Sequence, residues 1–238
     1  MSEAAMKDQA PASNMEPAVW SKLAIATFVL SLFSPIAIFT EFLWPITFIT
    51  VIFSAAAVVL AVRARGEVRG GSLACFALFL SLFSLTFAVT RYAAHQSAMN
   101  REAVAFAENW FAMIKEGKLN EAHQMSMGSE YREAPEIPIN EAYRLNEQAR
   151  NNRDSFFLQL PIKFLVKDPK YATVRFLRLA GREADERAEV VKLRFSIRYR
   201  ELEVPRETIF TIGVARYRNP RFEDHRWVIR GVSNIETK

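Results

Sequence analysis

The sequence predicts a membrane-embedded bundle of α-helices joined to an α+β domain, in which helices pack on a curved antiparallel sheet. Three observations carry that prediction. Between Leu23 and Thr90 the chain holds almost no charge outside one short basic loop, Arg63-Ala-Arg-Gly-Glu-Val-Arg69. After Arg91 charge returns, and apolar residues recur first at helical spacing. From Tyr171 onward they alternate with polar ones, the pattern of half-buried strands. A chain of 238 residues accommodates both parts. Half of it is hydrophobic, but that excess sits before Arg91, so the global balance averages two unlike regions. The single cysteine, Cys75, excludes an intramolecular disulfide.

The expected organisation is a disordered cytoplasmic tail over 1–21, three transmembrane helices within 22–91, and an extracytoplasmic α+β domain with a helical stalk over 92–238. The spans fall at about 23–40, 43–62 and 72–90. Each approaches the ~20 residues that cross a hydrocarbon core as a helix. Glu41 marks a surface turn between the first two, since a carboxylate is costly deeper in the bilayer. Pro45 suits the first turn of the second helix, where its missing N–H costs nothing. Trp20, Trp44 and Tyr92 stand at segment edges, where amphipathic rings prefer the headgroup zone.

Orientation follows from the cations. With the Arg63, Arg65 and Arg69 loop inside, Lys7 and Lys22 also lie inside, and Arg91 and Arg101 lie outside. The positive-inside rule selects that arrangement: a cytoplasmic N-terminus, and an exported domain on a multi-pass protein of the cell inner membrane. A cleaved signal peptide is the rival reading of the first segment. That segment starts late, has no clear small-residue cleavage site and runs straight into another span.

Each span also carries a row of small residues three or four apart. The rows are Ala24, Thr27, Ser31 and Ser34; Thr47, Thr50, Ser54, Ala57 and Ala61; and Ala74, Ala77, Ser81, Ser84 and Ala88. Such rows occupy one helical face and let helices approach closely in lipid. They predict a compact bundle; a transport path would call for charge inside a span, and the sequence places none there. The order Lys22-Leu-Ala-Ile-Ala, a proline-broken hairpin, an Arg-rich loop, Gly70-Gly71, Ser-Leu-Ala-Cys and a further span resembles a widespread bacterial membrane domain of unknown function. The resemblance covers about Ser21 to Thr90 and implies no activity.

In the second part, no Gly or Pro interrupts the chain from Ser72 to Glu116. The last span can therefore run into the first soluble helix as a stalk of about 65 Å, or break at an N-cap at Asn100. Ala103, Phe106, Ala107, Trp110, Phe111 and Ile114 form an apolar stripe that ends at Gly117. A short helix starts near Asn120 and stops at Gly128. Another runs from Asn140 to about Asn152. Asp154 to Val166 is ambiguous because Pro161 breaks or restarts a helix. Strands follow at Tyr171 to Leu179, along Val191, Leu193, Phe195, Ile197 and Tyr199, along Phe210, Ile212 and Val214, and at Trp227 to Ile235. Polar turns fall at 181–187 and 219–225.

Helices followed by a meander read as α+β. With the segment Trp110-Phe-Ala-Met-Ile-Lys-Glu-Gly-Lys-Leu-Asn-Glu-Ala and the closing Trp227-Val-Ile, this order resembles the nuclear transport factor 2-like superfamily over about Asn100 to Glu236. The resemblance implies a cone of sheet wrapped on helices and dimerisation through the sheet. Superfamily members include enzymes and non-enzymes. Catalytic members place Asp, His or Tyr in the cone, which singles out His123, Tyr131, Tyr143, Tyr199 and Tyr217 as a speculative pocket. No motif assigns any of them a catalytic role, and Tyr on an amphipathic element is commonly a core residue.

His95, His123 and His225 lack metal-ligand spacing, so no metal or other cofactor is expected. Gly is too scarce for a phosphate loop. Lys192, Arg194, Arg198 and Arg200 share one strand face, which reads as an anion or partner surface or as a solvated face balanced by Glu201, Glu203 and Glu207. An exported domain excludes nucleic acid as a partner. The leading expectation is a non-enzymatic membrane protein presenting a cone-fold domain for binding or assembly with a second copy or another envelope protein. Membrane-tethered domains of this fold in secretion machineries imply that role by analogy. The alternatives are a ligand receptor or enzyme using the cone pocket, and a function of the membrane part with a regulatory soluble domain.

Overall fold

The computed structural model describes residues 19–64, 68–133, 137–159, 161–184, 187–202, 204–218 and 226–237. Residues 1–18 of the expected tail, Arg65, Glu203 and the whole 219–225 turn, His225 with it, lie outside them. The chain divides into two units, with the boundary between His95 and Gln96.

The first unit begins with a two-residue parallel ladder, β1 (Val19–Trp20) against β2 (Val68–Arg69). Ser21 then caps helix α1 (Lys22–Ser31), its hydroxyl accepting from the Ala24 N–H at 3.2 Å. The first apolar segment is not one α-helix over 23–40. Pro35 has no N–H and its ring would collide with the carbonyl four residues back, that of Ser31, where α1 ends. The chain continues as a 3-10 helix over Ser34–Ile38. Helix α2 (Trp44–Arg63) has Pro45 in its first turn, as expected. Helix α3 (Gly71–Lys115) is continuous through Asn100, with no break at the N-cap expected there as the alternative. Helices α2 and α3 each hold a stretch long and apolar enough to cross a membrane; the first segment is shorter.

The small-residue rows are inside this unit. Every residue of the first and third rows is buried, as are Thr47, Thr50, Ser54 and Ala57 of the second; Ala61 is half-buried. Most of the hydroxyls bond to carbonyls three or four residues back, as Thr50 to Ile46 at 2.8 Å and Ser84 to Leu80 at 2.8 Å. The large apolar side chains, among them Phe48, Phe53, Phe79 and Phe83, point outward.

The second unit is α+β. After α3 come α4 (Leu119–Gln124), α5 (Ile139–Leu145), α6 (Glu147–Phe157) and α7 (Ile162–Lys167). Four antiparallel strands follow in sequence order: β3 (Thr173–Ala184), β4 (Ala188–Glu201), β5 (Val204–Tyr217) and β6 (Trp227–Thr237). Register shifts in β3 and between β5 and β6 bend the strands. The helix expected over 140–152 is two helices, because Asn146 leaves helical geometry and caps α6 through the Ala149 N–H. Pro161 restarts the chain as α7. Strand β3 extends through Gly181 to Ala184, residues expected in a turn.

Alternation on β4 places Leu193, Phe195 and Ile197 in one core with Phe210 and Ile212 of β5. Ala103, Ala107, Trp110, Phe111 and Ile114 of α3 close that core, as their spacing predicts. Phe106 is half-buried and lies 6.3 Å from the Trp227 ring.

Candidate functional site

The helical face of the second unit carries its one buried titratable cluster among the described side chains. Helix α4 brings His123 and Gln124 inward, and α5 sets Tyr143 against them. His123 is 7 % exposed and Tyr143 2 %. The imidazole Nδ1 and the phenol oxygen are 2.5 Å apart. Gln124 Nε2 donates to the same phenol at 3.2 Å, and its Oε1 accepts from the Glu133 N–H at 3.1 Å. Phe156 and Phe157 meet the imidazole edge-on. From α6, the Arg153 guanidinium lies 5.8 Å from the Tyr143 ring centre and pairs with Asp154 at 2.7 Å.

Burial lowers the His123 pKa from its ordinary value, and the Arg153 charge adds to that, with Asp154 opposing. Burial raises that of the Tyr143 phenol. Both groups are therefore held neutral at pH 7. Sealed by aromatic rings and bonded to each other, they act as a polar lock between α4 and α5.

The other three residues of the expected pocket lie elsewhere. Tyr131 is 70 % exposed. The Tyr199 ring stacks on Phe164 at 3.8 Å and its hydroxyl reaches Thr208 Oγ1 at 3.2 Å. Tyr217 packs against Ala188, Val190 and Ala215, a cluster separate from the main core. Of the five, His123 and Tyr143 meet, and Trp110, Phe111, Phe195 and Phe210 pack together in the core. A cleft of about 560 Å³ does open beside α7, lined by Leu119, Phe157, Phe164 and Val166 together with two lysines, Lys163 and Lys167, and two carboxylates, Asp154 and Glu201.

The basic strand face is where alternation put it, and it is charge-matched. Lys192 pairs with Glu183, Arg194 with Glu236 at 2.7 Å and Arg198 with Glu207 at 3.4 Å. The Arg200 guanidinium lies 4.7 Å from the Tyr171 ring centre. Of the expected acidic partners among the described residues, Glu207 takes part in these pairs and Glu201 does not; Glu183 comes from the neighbouring β3, and Glu236 from β6, two strands away. Of the loop cations, Arg63 ends α2, and the Arg69 carbonyl accepts from the Ser21 N–H at 3.0 Å. Among the described residues no three His, Cys, Asp or Glu side chains gather as a metal site would need.

Sequence reading missed Gln124, Arg153 and Arg132. Arg132 is 6 % exposed and donates to the carbonyls of Met125, Met127 and Trp227, clamping the α4 exit to β6. The adjacency His123-Gln124 on a short helix was the one available signal. Comparison with protein-family models, with curated proteins and with solved structures finds no match to this chain.

Proposed function

We propose that this chain is a multi-pass protein of the bacterial inner membrane, whose helical part anchors a nuclear transport factor 2-like domain outside the cytoplasm for assembly with a second copy or another envelope protein. The observation that carries the reading is the inverted first unit: hydroxyls and alanines inside, large apolar side chains outside. Lipid is the solvent in which that arrangement is stable, because small residues allow close packing where apolar burial gives no drive. Orientation rests on the cation count around the spans. The cone reading rests on the order of helices before a four-stranded antiparallel meander.

The filled aromatic interior supports work done by surfaces rather than by an internal pocket. The two sheet edges, β3 and β6, are the natural surfaces. Edge strand β3 presents Leu177 and Leu179, each more than two-fifths exposed. A second reading, small-ligand binding, is favoured by the α7 cleft, whose apolar lining and mixed lysine and carboxylate groups suit an amphipathic molecule.

Two placements in a Cys75→Ser background test the leading reading. Leu145→Cys, 75 % exposed in the domain, should react with a membrane-impermeant maleimide in intact spheroplasts. Labelling only after lysis would reverse the orientation. A photo-crosslinking residue at Leu179 should give a discrete adduct in cells. Crosslinks only to lipid or water, with a monomer in detergent, would reject assembly through β3.

A further inference from the structure

We propose that the end of the apolar bundle carries a site for a phosphate group, supplied by a lipid headgroup; the choice of source rests on the membrane reading above. The site lies wholly in the first unit. The apolar run of α3 stops at Thr90, and Arg91, Tyr92 and His95 follow within one turn. The spacing of Arg91 and Tyr92 from His95, four and three residues, sets all three toward one side of the helix. Facing them are Phe39 and Thr40, which follow the 3-10 helix, and the first residue of α2, Trp44. Between these walls is a cavity of about 240 Å³, backed by the buried Ala88.

The walls are fixed before any ligand arrives. Trp44 Nε1 donates to the Ala37 carbonyl at 3.1 Å, and Arg91 Nη1 donates to the Ile38 carbonyl at 3.1 Å. The Arg91 guanidinium lies 5.3 Å from the Phe39 ring centre. The Trp44 and Tyr92 rings meet edge to face at 5.4 Å. These contacts use one N–H of a five-donor fork. Arg153, Arg194, Arg198 and Arg218 each have a carboxylate partner. Among the described side chains, which leave out that of Glu41, no carboxylate pairs with Arg91.

The donors left around the cavity are the Arg91 fork, the Tyr92 and Thr40 hydroxyls and the His95 ring. That set matches phosphate oxygens, and a guanidinium binds them in bidentate fashion. Ile38 and Phe39 supply apolar wall for the glycerol and upper acyl carbons. A Trp and a Tyr flanking the first charge after an apolar run mark headgroup depth, where such a phosphate resides.

The test uses the full chain in nanodiscs of phosphatidylcholine with increasing phosphatidylglycerol, with retained lipid counted by native mass spectrometry. Carbonate extraction of membranes comes first: release of the chain would refute the membrane reading on its own. With the chain retained, wild type should hold one phosphatidylglycerol with about tenfold preference: both lipids carry the phosphate, but the choline cation of phosphatidylcholine offsets its attraction to Arg91. Arg91→Gln should abolish that preference, Arg91→Lys should keep part of it, and Arg101→Gln, beyond the site, should keep all of it. Arg91 also supports the 3-10 helix, so Tyr92→Phe combined with His95→Gln provides a variant that spares that bond; it should weaken the preference severalfold. Saturable inorganic phosphate binding in detergent, lost in Arg91→Gln and unaccompanied by lipid preference, would support the phosphate site and transfer it to a free ligand. Equal retention of both lipids together with no phosphate binding, or preference unchanged in Arg91→Gln, would overturn the site.

Discussion

The imidazole of His123 and the phenol of Tyr143 face each other at 2.5 Å across the α4–α5 contact, with Gln124 donating to the same phenol. A phenol O–H that donates a hydrogen bond to Nδ1 requires that nitrogen to be unprotonated, so the imidazole is neutral, which agrees with the depressed pKa that burial and Arg153 impose. The folded protein thus binds fewer protons at this site than the unfolded chain does near and below the ordinary imidazole pKa of about 6.5. The stability it contributes is complete above that value and declines as pH falls through and below it. Thermal midpoints of the second unit, followed in the full chain between pH 8 and pH 5, should fall with acidification. His123→Gln should flatten that slope. An equal slope in the variant would assign the acid sensitivity to other groups.

Trp110 gives the second expectation. Its ring is wholly buried, its Nε1–H donates to the Ala122 carbonyl at 2.8 Å, and Phe111 and Phe156 pack against it. Trp110→Phe removes the donor and leaves a buried carbonyl unsatisfied, which costs about 1–3 kcal/mol. Trp110→Ala adds a cavity, for a total of about 3–5 kcal/mol. Urea unfolding of both variants should rank them in that order. Near-native stability of Trp110→Ala would mean the core is not closed by this ring.

The parts of this structure that the sequence announces are those set by local periodicity. Rows such as Ala74, Ala77, Ser81 and Ser84 identify a buried face because 3.6 residues per turn brings them together whatever the partner. Alternation does the same for Leu193, Phe195 and Ile197. Local signals failed where two meanings compete at one residue. Asn146 suits a helix interior or a cap, and here it caps α6. Gly181 suits a turn or an irregular strand, and here it lies in β3. The candidate site was least legible, since His123 and Tyr143 are twenty residues apart and meet only through the packing of α4 on α5. The partners of the basic face were equally hidden. Glu183 and Glu236 reach Lys192 and Arg194 through strand order, which composition does not encode.

That strand order sets the third expectation. Arg194 on β4 reaches across β5 to Glu236 on β6, and both side chains retain solvent exposure. A double-mutant cycle on Arg194→Ala and Glu236→Ala should yield a coupling of about 0–1 kcal/mol, reduced by salt. Because the cations are matched, replacing Lys192, Arg194 and Arg198 together by Gln should leave binding to anionic polymer beads nearly unchanged. A large loss of retention at ~0.15 M salt, where surface charge is already screened, would restore the face as an anion surface.

Gly70 supplies the fourth. It sits between the β2 strand and α3 with φ +118°, a conformation side chains rarely adopt, and a Cβ there would lie 3.1 Å from that of Ala24. Close approach of the α1 base to the start of α3 thus depends on this residue having no side chain. Gly70→Ala should destabilise the first unit by about 1–3 kcal/mol, from backbone strain and overpacking together. The adjacent Gly71→Ala is the control, since its Cβ would meet Ala61 at an ordinary 3.5 Å, and it should be tolerated. Thermal aggregation of detergent-solubilised protein, followed by size exclusion, separates the two. Ala24→Gly added to Gly70→Ala removes the steric contact and leaves the dihedral strain, so it should recover only part of the loss. Full recovery would assign the whole effect to packing, and equal behaviour of the two single variants would show that the β2–α3 junction does not need its glycine.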